Sequence, residues 1–378
     1  MHEIYFDNSA TTKVCDIATQ KVLDMMQRNF GNPSSLHSKG INAECSVTSS
    51  RQSIASVLGC SKNEIVFTSG GTESNNIAIQ GAAFAKNRLG NRIVTSEIEH
   101  ASVYDTCTFL KHQGFEVIRL CPDSNGYIRD EDIYNAIDSN TILVSLMLIN
   151  NENGVYLPVK TAANAIKRAK SPALLHCDAV QAFGKIPVKP SALGVDLLSI
   201  SGHKIHAPKG VGALYIKKGI KITPIFYGGA QESSLRPGTE SSPLIAGFGA
   251  AVNDLGSFSA NLELASSLKD TLVQRLKNVS GIHFNSPDSA LPYIVNVSVI
   301  GIRSEVMLHY LGAKNIFISS GSACSKGKKS RVLMAMGLSD DRINSALRIS
   351  FSKYNTPEDV VYLADAIINA QKDLIKYS

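Results

Sequence analysis

The sequence predicts an α/β protein with a mostly parallel seven-stranded sheet flanked by helices, joined to a smaller α+β domain. Three observations carry this. From about residue 60 to 225 short apolar runs alternate with helical patterns, the signature of βαβ units. Those runs are rich in Val, Ile and Leu, as suits strands covered on both faces. Beyond about residue 257 the alternation gives way to a long helical stretch and two isolated strand patterns.

In chain order the expected strands of the large sheet are EIVFTS (64–69), RIVTS (92–96), FEVIRL (115–120), TILVSLMLI (141–149), ALLHCDAV (173–180), VDLLSIS (195–201) and GALYIK (212–217). Between them ESNNIAIQGAAFAKN, ASVYDTCTFLKHQ and TAANAIKRAK repeat apolar residues every three to four positions, a helical period. The second unit begins with the helix LELASSLKDTLVQRLKNV, continues with strands YIVNVSV and NIFISS, and closes with a helix after Pro357. The expected division is a large domain over 13–257 and a small domain over 1–12 plus 258–378, placed by the change of pattern alone.

Composition narrows the function class. The 378 residues are 44% hydrophobic and 19% charged, which excludes collagenous, low-complexity or wholly disordered chains. Lys and Arg number 38 against 32 Asp and Glu, a net +6 with no long single-sign block, so no clustered basic face suggests direct nucleic-acid binding. Seven cysteines, an odd number without a CxxC pair, fit reduced, cytoplasmic usage rather than a disulfide framework. No run of about 18 apolar residues suggests a membrane span, and spaced Cys/His pairs for a metal are absent.

Open α/β sheets bind ligands beyond the carboxyl ends of their strands. After the first strand comes SGGTES, where Gly70 and Gly71 permit a tight turn and Thr72 opens a helix. Its free N–H groups suit a phosphate or an ordinary cap. ALLHCDAVQ brings Asp178 and Gln181 to another strand end; a carboxylate there serves as a turn residue or keeps a heteroaromatic ring nitrogen protonated. VDLLSIS runs into SGHKIHAPK, which sets Lys204 beside Ser201 and His203. That lysine is placed for a Schiff base with an aldehyde cofactor, or as a basic loop residue.

The set of motifs resembles the fold-type I, class V pyridoxal-phosphate enzymes, and within them the NifS/IscS group of cysteine desulfurases. The matching segments, in order along essentially the whole chain, are FDNSATT (6–12), GNPSS (31–35), FTSGGTESNN (67–76), Glu99–His100, NNENG (150–154), HCDAVQ (176–181), SGHKIHAPKG (201–210), RPGTE (236–240), SSGSAC (319–324) and LRIS (347–350). The resemblance implies that Lys204 binds pyridoxal phosphate covalently and moves the substrate Cα proton. It implies that Gly71, Thr72, Ser201 and His203 hold the phosphate, with Thr239 reaching it from the other subunit of a homodimer. His100 would stack on the ring, Asp178 pair with the pyridine nitrogen, and Asn151 and Gln181 lie on the phenolic oxygen side. Arg348 would take the substrate carboxylate, a task for a planar bidentate fork, with Asn151 close to the substrate.

Cys324 separates this group from ordinary aminotransferases. It sits among small residues and is followed by Lys326, Lys328, Lys329 and Arg331, cations that favour a thiolate. The resemblance implies a loop that brings this thiol to L-cysteine, receives the sulfur as a persulfide, and passes it to an iron–sulfur scaffold protein or a tRNA-thiolating enzyme. Against better-known members the stretch SKGKKSR after Cys324 is two residues shorter and more basic, which suits an acidic acceptor surface. The alternatives are a selenocysteine lyase or another pyridoxal-phosphate lyase, distinguished by product, and a non-catalytic scaffold, which would not need Lys204 and Cys324 together.

Overall fold

The computed structural model describes residues 3–320 and 329–374, and Cys324 lies outside them. After a short strand β1 (Ile4–Tyr5), the large sheet is built from β2 (Ile65–Thr68), β3 (Arg92–Ser96), β4 (Glu116–Leu120), β5 (Thr141–Met147), β6 (Leu174–Asp178), β7 (Leu197–Ser201) and β8 (Gly212–Ile216). Their order is β2-β8-β7-β6-β5-β3-β4. Strand β8 is antiparallel to both neighbours and every other pair is parallel. Six strands therefore point the same way and end on one edge. The expected seven-stranded, mostly parallel sheet is present, each strand within a few residues of its apolar run.

Successive side chains leave a strand on opposite faces, and the cores follow that alternation. Val66, Ile93, Leu174 and Leu197 pack with Ile77, Ile79, Val103 and Leu110 on one face. Those helical residues come from α3 (Gly71–Lys86) and α4 (Ala101–His112), which follow α1 (Asp16–Gln27) and α2 (Ser38–Leu58) in the chain. Phe67, Val94, Leu175 and Leu198 face the other side, where Ile54, Leu58 and Phe248 belong to the same cluster. There α1 and α2 pack on the helix Ser242–Asn253. At Gly249 of that helix a Cβ would stand 2.7 Å from Ser50 Cα, so the crossing with α2 demands glycine.

A second unit is built on β9 (Ile282–Phe284), β10 (Ile294–Val299), β11 (Ile316–Phe317) and β12 (Ala346–Ser350), with antiparallel order β12-β10-β9 and a separate parallel pair β1-β11. Helices Phe258–Leu276 and Pro357–Asp373 supply Leu268, Leu272, Leu363 and Ile367 to a core with Val295, Val297, Leu347 and Ile349. Pro357 opens the last helix behind a reciprocal Thr356–Asp359 capping box. The run NIFISS keeps strand geometry only at Ile316–Phe317, after which Ser319 bridges to Arg348. Among the described residues no helix is long and apolar enough to cross a membrane.

The N-terminal segment joins this second core. Phe6 is fully buried, meets Phe351 edge-to-face at 5.7 Å, and its carbonyl accepts from Ser350 N at 2.6 Å. Phe6→Ala is expected to cost roughly 3–5 kcal/mol, the range for truncating a buried aromatic. Urea unfolding followed by circular dichroism measures it; a loss below about 1 kcal/mol would mean that the N-terminus is not integral to the core.

Candidate active site

Because six strands share a direction, the loops after β2, β3, β5, β6 and β7 emerge on one edge. The loop after β2 leads into α3, whose start has no side-chain cap. Gly71 lies against Val180 from the loop after β6: a Cβ there would come within 2.8 Å of Val180 Cγ2. Ser201, the last residue of β7, has a buried hydroxyl without a partner, 3.8 Å from where a Gly70 Cβ would stand. An unpartnered hydroxyl beside uncapped helix N–H groups is a setting for a phosphate. His203 follows on the same loop, its Nδ1 3.2 Å from Thr11 Oγ1. Burial first, then Lys204, Lys209 and His100, lower its pKa to about 4, so the ring is neutral at pH 7.

Lys204 Nζ donates to the carbonyl oxygens of Ser9 and Ala10, the latter at 2.8 Å. Gln181 Nε2 donates to the same Ser9 carbonyl at 3.0 Å, while its Oε1 accepts from Lys185 Nζ at 2.7 Å. A cavity of about 40 Å³, room for about one water, lies alongside, lined in part by Lys204, Lys185, Thr12 and Tyr293. Burial, with the charges of Lys204 and Arg348, pulls the Lys185 ammonium down to about 7.

Asp178 ends β6, buried, and its Oδ2 accepts from Asn75 Nδ2 at 2.8 Å. The same amide nitrogen donates to Ser102 Oγ at 2.8 Å. Ser102 Oγ lies 2.8 Å from His100 Nδ1, and Ser102 N donates to that nitrogen at 3.1 Å, so His100 caps α4. A chain of hydrogen bonds thus runs Asp178–Asn75–Ser102–His100. Because Nδ1 accepts a backbone hydrogen, His100 is held as a neutral ring with its proton on Nε2. Burial lowers its pKa, and Lys204 and Arg331 act in the same sense against Asp178.

Arg348 in β12 is 3% exposed. Nη1 donates to the Asn151 carbonyl and Nη2 to Asp7 Oδ1, both at 3.0 Å, while its Nε and Asn151 Oδ1 are buried without partners among the described residues. Thr239 stands apart from the rest: it is exposed and hydrogen-bonds none of them. Its segment follows Glu232, Ser233 and Ser234, at φ of 46°, 57° and 60°, a left-handed turn costing roughly 1–2 kcal/mol per residue. Arg51 grips Glu232 bidentately at 2.6 and 2.7 Å, and Phe67 N donates to the same carboxylate at 2.8 Å.

Sequence reasoning overlooked Asn75, Ser102, Asp7 and Lys185. Asn75 lies one helical turn after Thr72 in α3, a spacing that puts it on the face of a singled-out residue, and Asp7 falls within the matching segment FDNSATT; Lys185, in a non-helical turn after Gln181, carried no such signal. Among the other cysteines, burial pushes Cys60 and Cys107 up to about 12 and Cys177 well upward, all away from the thiolate. The donor set fits pyridoxal phosphate: a lone buried hydroxyl by an uncapped helix, a lysine, and a carboxylate at a strand end.

The sequence matches the family described as Aminotransferase class-V over residues 4–363. A protein named cysteine desulfurase IscS from Methanosarcina thermophila is 43% identical, covering 94% of this chain and 89% of its own length. Another of that name, from Dictyoglomus turgidum, is 39% identical with coverages of 97% and 93%. The solved structure of a NifS-like protein superposes with a TM-score of 0.93 at 37% identity, over 99% of this chain and 100% of that one.

Glu99, next to His100, is 1% exposed. Its Oε1 accepts from Ser96 Oγ at 2.7 Å and Met147 N at 3.0 Å, while Oε2 has no partner. Burial raises its pKa from 4.5 to about 8. The folded chain thus keeps a proton that the unfolded chain loses near 4.5, so this group's stabilisation is complete below that pH and is lost as pH rises through 8. Glu99→Gln is expected to gain on the wild type by up to about 1.4 kcal/mol per pH unit between pH 5 and 8, read from denaturant midpoints. A gap constant with pH would mean an ionised Glu99.

Proposed function

The chain belongs to the class-V aminotransferase family, and from that premise we propose that it is a cysteine desulfurase, converting L-cysteine to L-alanine and leaving the sulfur on Cys324 as a persulfide. The observation that carries the reading is the convergence of Lys204, Asp178 and Arg348 on one edge of the sheet, in a chain that also bears Cys324 in SSGSAC. Nearly full-length identity to proteins named cysteine desulfurase supports it.

Ser201, His203, Gly71 and Thr72 would hold the phosphate, with Thr239 of a second subunit completing the cradle in a homodimer. Asp178 would favour a protonated pyridine nitrogen, His100 would pack on the ring as a neutral imidazole, and Asn151 and Gln181 would contact the phenolic oxygen. When bound, pyridoxal phosphate supplies the electron sink for the pair released at the substrate Cα. Arg348 orients the substrate carboxylate, with its unpaired Nε–H to donate and Asn151 beside it. Lys204 takes the Cα proton as a base once its ammonium has lost a proton. The Cys324 thiolate then attacks the substrate sulfur: the S–S bond forms, the C–S bond breaks, and its electron pair stays on carbon. Protonation of that carbon leads to alanine. The sulfane sulfur goes to a protein acceptor, an iron–sulfur scaffold or a tRNA-thiolating enzyme.

Incubation with L-cysteine and a thiol reductant is expected to give alanine and sulfide in equal amounts, with at least a hundredfold loss, roughly 2.7 kcal/mol, in Cys324→Ala. Pyruvate as product, or indifference to the substitution, would mean a β-lyase. Ser201→Ala removes a hydroxyl with no partner among the described residues, so it should leave thermal stability unchanged while weakening pyridoxal phosphate about fivefold, the equivalent of one hydrogen bond. Unchanged cofactor affinity would remove Ser201 from the phosphate site.

A further inference from the structure

The four residues after Gln181 fold into a turn that closes at Gly184, φ 78°, and brings Lys185 back over the Gln181 side chain. Lys185 is 6% exposed. Its Nζ donates to Gln181 Oε1 at 2.7 Å and lies 5.8 Å from the Tyr293 ring centre. Among the described residues no carboxylate pairs with it. A buried amine that lacks an ionic partner and sits near the like-charged Lys204 and Arg348 is expensive. Methionine would fill the same volume at less cost, so the amine itself needs a role.

The Gln181 amide supplies one. Its Nε2 faces the acceptor-only carbonyl of Ser9, and its Oε1 faces the amine of Lys185. Two partners of opposite character therefore pin both ends, and a flipped amide would set oxygen against oxygen at Ser9. Charged or neutral, Lys185 Nζ has a hydrogen to give, so the grip does not depend on its protonation. The shared Ser9 carbonyl puts Gln181 Nε2 next to Lys204 Nζ.

We propose that Lys185 is a positioning residue, holding the Gln181 amide so that Nε2 stands beside Lys204 with its second hydrogen available to pyridoxal phosphate. This rests on the reading of Gln181 as a cofactor-facing residue. On this proposal Lys185 acts through Gln181 alone, which a double-mutant cycle isolates.

The measurement is the dissociation constant of pyridoxal phosphate, from the visible absorbance of the bound cofactor after dialysis, in wild type, Lys185→Met, Gln181→Ala and the double variant. Either single change should weaken binding by about five- to tenfold, as for loss of one buried hydrogen bond, and Lys185→Met should change it less than about twofold in the Gln181→Ala background. If melting shows that methionine is not tolerated, Lys185→Leu, which likewise has no donor for Oε1, takes its place. Wild-type affinity in the Lys185 variant with weakened Gln181→Ala would overturn the role of Lys185 alone. A Lys185 loss of equal size in both backgrounds would make it merely structural. Unchanged binding in Gln181→Ala would overturn the reading of Gln181 and this inference with it.

Discussion

Everything at the site depends on six strands that end on one edge of the large sheet. Parallel pairing sends each strand back through a helix on the sheet's faces, so successive loops accumulate at the same side. The antiparallel β8 lets β2 rejoin the set in the common direction, and this places the start of α3 beside Ser201. A sheet lacking that inserted strand would leave the glycine turn and the lysine loop without the same juxtaposition. The second unit supplies what the edge lacks: Arg348 from β12, and the carbonyl oxygens of Ser9 and Ala10 from the N-terminal segment against which Lys204 is held.

Concentrating polar groups at a buried edge carries a desolvation cost, which the structure meets with neutral forms and internal hydrogen bonds. Glu99 holds a proton and His100 and His203 are neutral. His176, fully buried between the Ser145 and Ser199 hydroxyls, is pulled down to about 3 by burial. Among the described residues, three of the buried polar atoms without partners, Ser201 Oγ, Asn151 Oδ1 and Arg348 Nε, belong to residues singled out for binding, whereas others, such as Thr95 Oγ1 and Arg119 Nε, do not.

The large sheet was legible because its strands are continuous apolar runs punctuated by turns, and the motif-bearing loops could be assigned to strand ends on that basis. Strand order was not, since nothing local in GALYIK distinguishes an antiparallel strand from a parallel one. The helix α2 escaped notice because its apolar residues are interrupted by serine and threonine, and β9 because it has only three residues. At the site, residues at strand ends were accessible to sequence reasoning. Those away from the strand ends, such as Asn75 one helical turn into α3 and Lys185 in the turn after Gln181, required coordinates to show what they meet, and Asp7 meets Arg348 only through a contact spanning almost the whole chain.

One consequence follows from two attachments flanking Cys324. Ser319 is tied to the Arg348 backbone in both directions, and Ser330 donates to the buried carboxylate of Glu152 while capping the helix Arg331–Ala335. The cysteine stands five residues after the first post and six before the second. A fully extended chain covers at most ~3.6 Å per residue, so chain length alone keeps the backbone at position 324 within about 18 Å of one post and about 22 Å of the other. If Cys324 carries the sulfur as proposed, an acceptor must present its receiving atom where both limits are met, close to the ground the two posts define.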